Sequence, residues 1–425
     1  MLYELWRQIV DRHGDRLAVH DLAPGRFWTF RELELEAGRE GERCGRLRHP
    51  EGMGVEFLLS TIAGWRQRKV LCPVEMGQAP PAIDCLPAGC VHLKTTSATT
   101  GKPRMIGFTA TQLVADVENI VATMGLRPDW PNLGVISMAH SYGFSSLVLP
   151  LLLRGIPLIL GGSTLPEAVR HAIERFGPVT LPAVPALWRA WQQAGAITRD
   201  IRLAISAGAP LPLSLEQEVF DSTQVKIHNF YGASECGGIA YDGADQPREA
   251  ETCAGRPMRN VDLSLDESGC LCVRGAAVAT AYLPEPAANL GEGRFLTGDL
   301  VEFREGEVHL LGRATEVINV AGRKLVPETV EQALLRCPGV DACLVFGAPS
   351  EAAGRGEIVV ALLVSRGEPD IVALRRCLAD RLPAWQVPRA WGRVGDLGVN
   401  ARGKLSRTQW RQRYLAGDGT IRSVG

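Results

Sequence analysis

Between Thr95 and Arg104 the chain reads Thr-Thr-Ser-Ala-Thr-Thr-Gly-Lys-Pro-Arg, directly after a short apolar run, Val91-His92-Leu93. Hydroxyls, backbone N–H groups and cations crowded on one loop are what a polyphosphate requires. The loop is neither a Walker loop nor a GxGxxG turn, since the glycine spacing fits neither. Later segments carry residues suited to the same chemistry: Ser206-Ala207-Gly208-Ala209-Pro210, Tyr231-Gly232-Ala233-Ser234-Glu235, Thr297-Gly298-Asp299, Gly312-Arg313, Gly322-Arg323-Lys324 and Gly403-Lys404. Taken one at a time, each reads equally well as an ordinary turn or a solvated charge.

These segments need a frame. An amphipathic helix opens the chain, with Leu2, Leu5, Trp6, Ile9 and Val10 on one face and Gly14 at its end. Thr29 and Glu32 form a capping box for a second helix. Short apolar strands are expected at Val135–Met138, Leu158–Leu160, Val179–Leu181, Leu203–Ile205 and Val225–Ile227, alternating with helices over 166–176, 185–194 and 215–220. Such alternation predicts a parallel sheet covered by helices, with ligands at the carboxyl ends of its strands. On this reading the phosphate loop and Tyr231–Glu235 both follow strands. From Val261 the texture changes to antiparallel β structure, with strands near 261–265, 271–273, 300–303 and 308–311. Past Arg313 a compact α+β unit is expected, with helices over 327–336 and 371–382, strands over 343–346 and 358–364, and a loose tail from Ala416. The fold class is therefore α/β: a large N-terminal domain over 1–312 and a small C-terminal α+β domain over 313–425.

Composition narrows the classes. A chain of 425 residues with 46% hydrophobic and 22% charged residues is long enough to bury a large core. With 46 basic against 47 acidic side chains, no net field attracts nucleic acid. The start of the chain lacks the pattern of a secretory signal, and no apolar stretch is long enough for a membrane span. Eleven cysteines show no metal-ligand spacing, and Cys270 and Cys272 alternate onto one strand face as small apolar residues. An odd count without an export signal predicts reduced thiols and a cytoplasmic location.

In their order the motifs resemble the adenylate-forming superfamily of acyl- and aryl-CoA synthetases, peptide-synthetase adenylation domains and luciferase, over nearly the whole chain. The resemblance implies a mobile small domain and the use of ATP and Mg²⁺ to activate a small-molecule carboxylic acid. Thr96, Ser97, Thr99, Thr100 and Gly101 would then wrap the β- and γ-phosphates. Gly208, Ala209 and Pro210 would lie against adenine, and Tyr231, followed by Gly232, would stack on it. Ser234 would touch the α-phosphate and Glu235 would hold Mg²⁺ as a hard oxygen ligand. Asp299 would accept the ribose hydroxyls, Arg313 would support the ribose or phosphate, and Lys404 would bridge the attacking carboxylate and the phosphate. Phe57–Val74 is similar to the family's early helix and strand, while the stretch before the phosphate loop is shorter than usual, implying a trimmed N-terminal subdomain. Two positions depart from the pattern: Ala98 stands where the family has glycine, and Arg104 where it has lysine. If Ala98 needs a positive φ, its methyl costs about 1 kcal/mol or more; Arg104 keeps the charge but not the shape.

The resemblance also implies a second step. The small domain would pivot near Thr315, and Gly322 would wall the approach of a thiol, coenzyme A or the phosphopantetheine of an acyl carrier protein, with Arg323 and Lys324 beside it. Ala139-His140-Ser141-Tyr142-Gly143-Phe144-Ser145-Ser146 would line the acyl pocket and is similar to both aryl-acid and acyl-CoA ligases. The aspartate that anchors an amino group in amino-acid-activating domains is absent there, so aryl and fatty acids stay open. His140 is either a gate or a satisfied structural histidine. Three other readings remain: an adenylate passed to a non-thiol acceptor, a degenerate nucleotide or acyl binder, and a luciferase-like oxidase.

Overall fold

The computed structural model describes residues 1–41, 45–83, 85–95, 104–350, 356–398 and 406–424. It divides into two compact units, one of residues 1–264, 272–297 and 303–309, the other of residues 265–271, 298–302 and 310–425. Thr96, Ser97, Ala98, Thr99, Thr100, Gly101 and Lys404 lie outside the described residues.

Two sheets lie wholly in the first unit. The smaller has five strands and contains β1 (Cys90–Thr95) and β2 (Met105–Thr109), the antiparallel pair on either side of residues 96–104 in the chain. Thr109 ends β2 and caps helix α1 (Ala110–Met124) through a capping box with Gln112, and Gly125 closes that helix at φ +68°. The larger sheet has nine strands, with β3 (Ile201–Ser206) and β4 (Ile227–Ala233) adjacent and parallel, fourth and third from one edge. Beyond β4 the direction reverses into antiparallel β5 (Gly237–Tyr241). Helices Pro166–Phe176, Pro185–Gln193 and Leu213–Thr223 alternate with the parallel strands. The strand Val179–Ala183 is buried at every residue, as a central strand covered on both faces must be. Trp188 and Trp191 fill the layer above it edge to face, with centroids 5.3 Å apart. β6 (Ala281–Leu283) returns to pair with β2, setting Tyr282 opposite Ile106. Among the described residues no helix is long and apolar enough to cross a membrane.

Two long strands, β7 (Arg294–Arg304) and β8 (Glu307–Arg313), each contain residues of both units. In the second unit a four-stranded sheet (Ala342–Pro349, Glu357–Val364, Ala390–Arg393, Arg422–Ser423) is apolar on both faces. Val345, Val359, Ala361 and Leu363 pack with Val330 and Leu334 of helix α2 (Pro327–Leu335) and with Leu374 and Leu378. Leu344, Phe346, Val360 and Leu362 pack with Trp410 of helix α3 (Arg407–Leu415). The alternation along each strand thus supplies two cores from one sheet.

Four expectations change. The strand expected at Val135–Met138 lies at Asn132–Gly134, because Asn132 pairs with Leu158 and Thr180, while the later apolar residues pack below a turn. Tyr231 sits on β4 rather than after it, since the strand runs on from Ile227 to Ala233. The tail is not loose: Arg422 and Ser423 pair with Arg393 and Gly392, and Val424 is buried. Nor are all thiols reduced, since Cys337 and Cys377 form a disulfide between the ends of two helices of the second unit.

Candidate functional site

The β4–β5 hairpin has a conformation that few residues tolerate. A Cβ on Gly232 would lie 2.7 Å from the Gly237 carbonyl oxygen, and Gly237 itself has φ +72° with a would-be Cβ 2.0 Å from Asp116 Oδ1. Both positions therefore demand glycine. The tight turn pushes Ser234 and Glu235 out at the carboxyl end of β4, half-buried. There the Ser141 hydroxyl donates to Ser234 Oγ at 2.9 Å, joining two motifs far apart in sequence. The Tyr282 hydroxyl donates to Glu235 Oε1 at 2.8 Å, and the Ala279 N–H donates to the Glu235 carbonyl at 2.8 Å. Burial, then the Glu235 charge, push the Tyr282 phenol well up, so it stays a donor. The Arg104 guanidinium carbon lies 5.3 Å from the centre of the Tyr282 ring.

Behind the hairpin sits a buried polar cluster. Lys94 Nζ donates to Ser145 Oγ at 3.3 Å, Ser145 Oγ donates to Asp116 Oδ2 at 2.6 Å, and Lys94 and Asp116 form an ion pair at 3.7 Å. Cys236, buried beside them, has its thiol held well above the ordinary range, by burial first and then by Glu235 and Asp116.

His140 precedes a short helical turn, Ser141–Gly143, packed so closely that a Cβ on Gly143 would lie 2.0 Å from the Ser137 carbonyl oxygen. Its Nε2 lies 3.0 Å from Glu75 Oε1, which also accepts the Ser137 hydroxyl at 2.5 Å. At the end of β3, Gly208 has φ +89° and begins the Gly208-Ala209-Pro210 turn. Ser206 pairs in register with Asn229 of β4, so this turn and the Tyr231 strand leave the sheet side by side.

In the second unit, Arg313 Nε donates to Asp299 Oδ1 at 3.1 Å, joining the two ribose candidates. Gly312 holds its place because a Cβ there would lie 2.4 Å from Val326 and 2.5 Å from Glu328 Oε2. Gly322 has φ +84° in an exposed hairpin, with its N–H donating to Asn319 Oδ1 at 2.9 Å. Arg407, which opens α3 three residues after Lys404, meets Glu331 at 2.9 Å, Glu328 at 3.0 Å and Glu316. Burial, then Glu328, push the Glu331 carboxyl up, while Arg407 and the Val345 N–H, both donating to it, oppose the shift.

The structure thus brings Ser141, Ser234, Glu235 and Tyr282 together in one unit, and Asp299 with Arg313 in the other. The all-oxygen set of Ser141, Ser234 and Glu235 suits a hard divalent cation. Sequence reasoning missed Tyr282, Glu75, Lys94 and Asp116. No sequence signal marked Tyr282, whose strand β6 meets β2 only in the folded chain.

The family model described as AMP-binding enzyme matches residues 53–283, more than half of the chain, and that of the AMP-binding enzyme C-terminal domain matches 329–404. The chain is 27% identical to tyrocidine synthase 3 of Brevibacillus parabrevis over 78% of its own length but 6% of that protein's. It is 27% identical to a feruloyl-CoA synthase of Amycolatopsis sp, over 76% of this chain and 69% of that one. Among solved structures, ATP-bound MatB from Rhodopseudomonas palustris superposes with a TM-score of 0.85 at 21% identity, covering 97% of this chain and 99% of the other.

Proposed function

The chain belongs to the AMP-binding enzyme family, and on that premise we propose that it activates a carboxylic acid with ATP and passes the acyl group to a thiol. In the first step a carboxylate oxygen attacks the α-phosphorus, and the bond to pyrophosphate breaks. In the second, a thiolate sulfur attacks the acyl carbon, the bond to AMP breaks, and a thioester forms. Both steps are governed by placement and by the neutralisation of spread negative charge.

The observation that carries this reading is Glu235, with one carboxylate oxygen anchored by Tyr282 and its neighbour Ser234 joined to Ser141. Mg²⁺ bound at Glu235 would supply charge neutralisation on the phosphates. Tyr231 stacks on adenine beside the Gly208-Ala209-Pro210 turn, and Ser234 meets the α-phosphate. Asp299 accepts the ribose hydroxyls while Arg313 holds its carboxylate in place. Thr96, Ser97, Thr99, Thr100 and Gly101 wrap the outer phosphates, and Lys404 donates to the oxygens of the transition state. His140, fixed by Glu75, faces the acid. The core domain spans 1–312 and the lid 313–425, pivoting near Thr315. Coenzyme A is the first acceptor to test, given the feruloyl-CoA synthase relative; a carrier-protein pantetheine near Gly322 is the second. The intracellular pools of ATP and such thiols suit a cytoplasmic enzyme.

The test is acid-dependent exchange of pyrophosphate into ATP across aryl and straight-chain acids, with Lys404→Ala as control. Exchange with one acid class, reduced about 10²–10³-fold in the variant, is the expected result. ATP binding without exchange for any acid would overturn the reading.

A further inference from the structure

The β-rich part of the first unit carries a cluster that acid activation does not use. Cys253 pairs with His309 across an antiparallel bridge, and Glu307 lies two residues before His309 on β8, so alternation turns both side chains to one face. One donor atom from each of Cys253, Glu307 and His309 lies within 4.8 Å of the other two. Cys253 Sγ and Glu307 Oε2 are 3.4 Å apart. That is close to the ligand–ligand edge of about 3.6 Å expected when a tetrahedral zinc binds sulfur at about 2.3 Å and oxygen at about 2.1 Å. The thiol and imidazole are buried, and the carboxylate is half-buried beside them.

The cluster is also held from outside. The Thr252 hydroxyl, 3.0 Å from His309 Nδ1, fixes the imidazole ring, as outer partners do for metal-binding histidines. The Cys253 carbonyl accepts from Arg248 Nη1 at 2.8 Å and from Asn229 Nδ2 at 3.1 Å. The Ala254 N–H donates to Val308 O at 2.8 Å, and the Val308 N–H to Gly255 O at 2.8 Å. Two of the three donors therefore sit on a hydrogen-bonded ladder rather than on a free loop, which is how a site is preorganised.

We propose that Cys253, Glu307 and His309 bind one thiophilic divalent cation of the zinc type, with solvent as the fourth ligand. A sulfur, nitrogen and oxygen set excludes Mg²⁺ and Ca²⁺, which take oxygen ligands. On binding, the Cys253 thiol loses its proton to solvent and its sulfur bonds to the metal as thiolate. The cation fastens the segment around Cys253 to β8. Asn229 of β4 holds the Cys253 carbonyl, so the same cation braces the strand that bears Tyr231.

Metal-stripped full-length protein in a phosphine reductant is titrated with Co²⁺. One equivalent should give thiolate-to-cobalt absorption and four-coordinate visible bands, which Zn²⁺ then bleaches. Cys253→Ser should lose the thiolate band, whereas Cys85→Ser, at an exposed thiol, should keep it. Glu307→Gln should fold normally by circular dichroism and weaken Zn²⁺ binding at least about 10–100-fold, the loss typical even of outer-shell partners. A band that survives Cys253→Ser, or a wild-type protein without band or melting shift at one equivalent of Zn²⁺, overturns the proposal. If Cys253→Ser does not fold, Glu307→Gln decides, and unchanged Zn²⁺ affinity there overturns it.

Discussion

Tyr282→Phe tests the contact on which the reading of Glu235 rests. The substitution keeps the buried ring and removes one oxygen, which donates to Glu235 Oε1 at 2.8 Å. A hydrogen bond to a charged acceptor contributes about 1.5–3 kcal/mol. Glu235 is only half-buried, so water recovers part of this, leaving a loss of about 1–2 kcal/mol in the precision with which the carboxylate meets a cation. That corresponds to a roughly five- to thirtyfold fall in adenylation rate at limiting Mg²⁺. The assay is pyrophosphate exchange over a Mg²⁺ titration, in wild type, Tyr282→Phe, Glu235→Gln and the double variant. The half-saturating Mg²⁺ concentration should rise in Tyr282→Phe, and its effect should largely vanish in the Glu235→Gln background, because the two side chains act as a pair. A folded Tyr282→Phe enzyme with an unchanged Mg²⁺ profile, or effects that simply add, would refute the reasoning.

Three further outcomes can be checked. Gly237→Ala should destabilise the protein by about 2–5 kcal/mol in denaturant melts, combining about 1–2 kcal/mol of left-handed backbone strain with about 1–3 kcal/mol of overlap against Asp116. Glu75→Ala, at a half-exposed contact with His140, should change stability by less than about 1 kcal/mol yet raise the KM for the acid, read from exchange at saturating ATP. Glu331→Gln keeps the shape but removes the charge that Arg407 meets at 2.9 Å, and should lower stability by about 1–3 kcal/mol in denaturant melts.

The motifs were legible because their chemistry is local. The contiguous Tyr231-Gly232-Ala233-Ser234-Glu235 motif is written in the sequence as one unit, and a capping box writes Thr29 and Glu32 three residues apart. The alternation of strands and helices gave the parallel sheet for the same reason. Strand edges were less legible: the apolar run after Gly134 continues past the end of its strand because the following turn is also packed, so hydrophobicity overshoots hydrogen bonding. Tyr282 and Glu75 were not legible as site residues, since each acts through a partner distant in sequence, Glu235 and His140. The disulfide was hidden for a related reason. Its cysteines stand 40 residues apart, and the general rule about reduced thiols says nothing about which pair the second unit's helices bring together.

The distant partners are also what fix the hairpin that carries the Tyr231–Glu235 motif. Near the start of β4, Lys226 meets Asp242 at 2.5 Å and Glu216, while Arg248 Nε donates to Glu216 at 2.8 Å, all of them buried. At its far end Asp116 lies directly under Gly237, tied to Ser145 and Lys94. An apolar core would tolerate a shift of β4 along its neighbours, because one leucine contact replaces another at small cost. A buried charge does not: losing its partner costs about 3–5 kcal/mol. Any slip of β4 or β5 would break partners at one end or force the Gly237 backbone against Asp116 at the other. The register that sets Ser234 against Ser141 and Glu235 against Tyr282 is therefore held by charges that touch none of the proposed substrates. Lys226→Met should leave Glu216 and Asp242 facing each other without their shared cation, and so disturb adenylation from a position with no role in the chemistry.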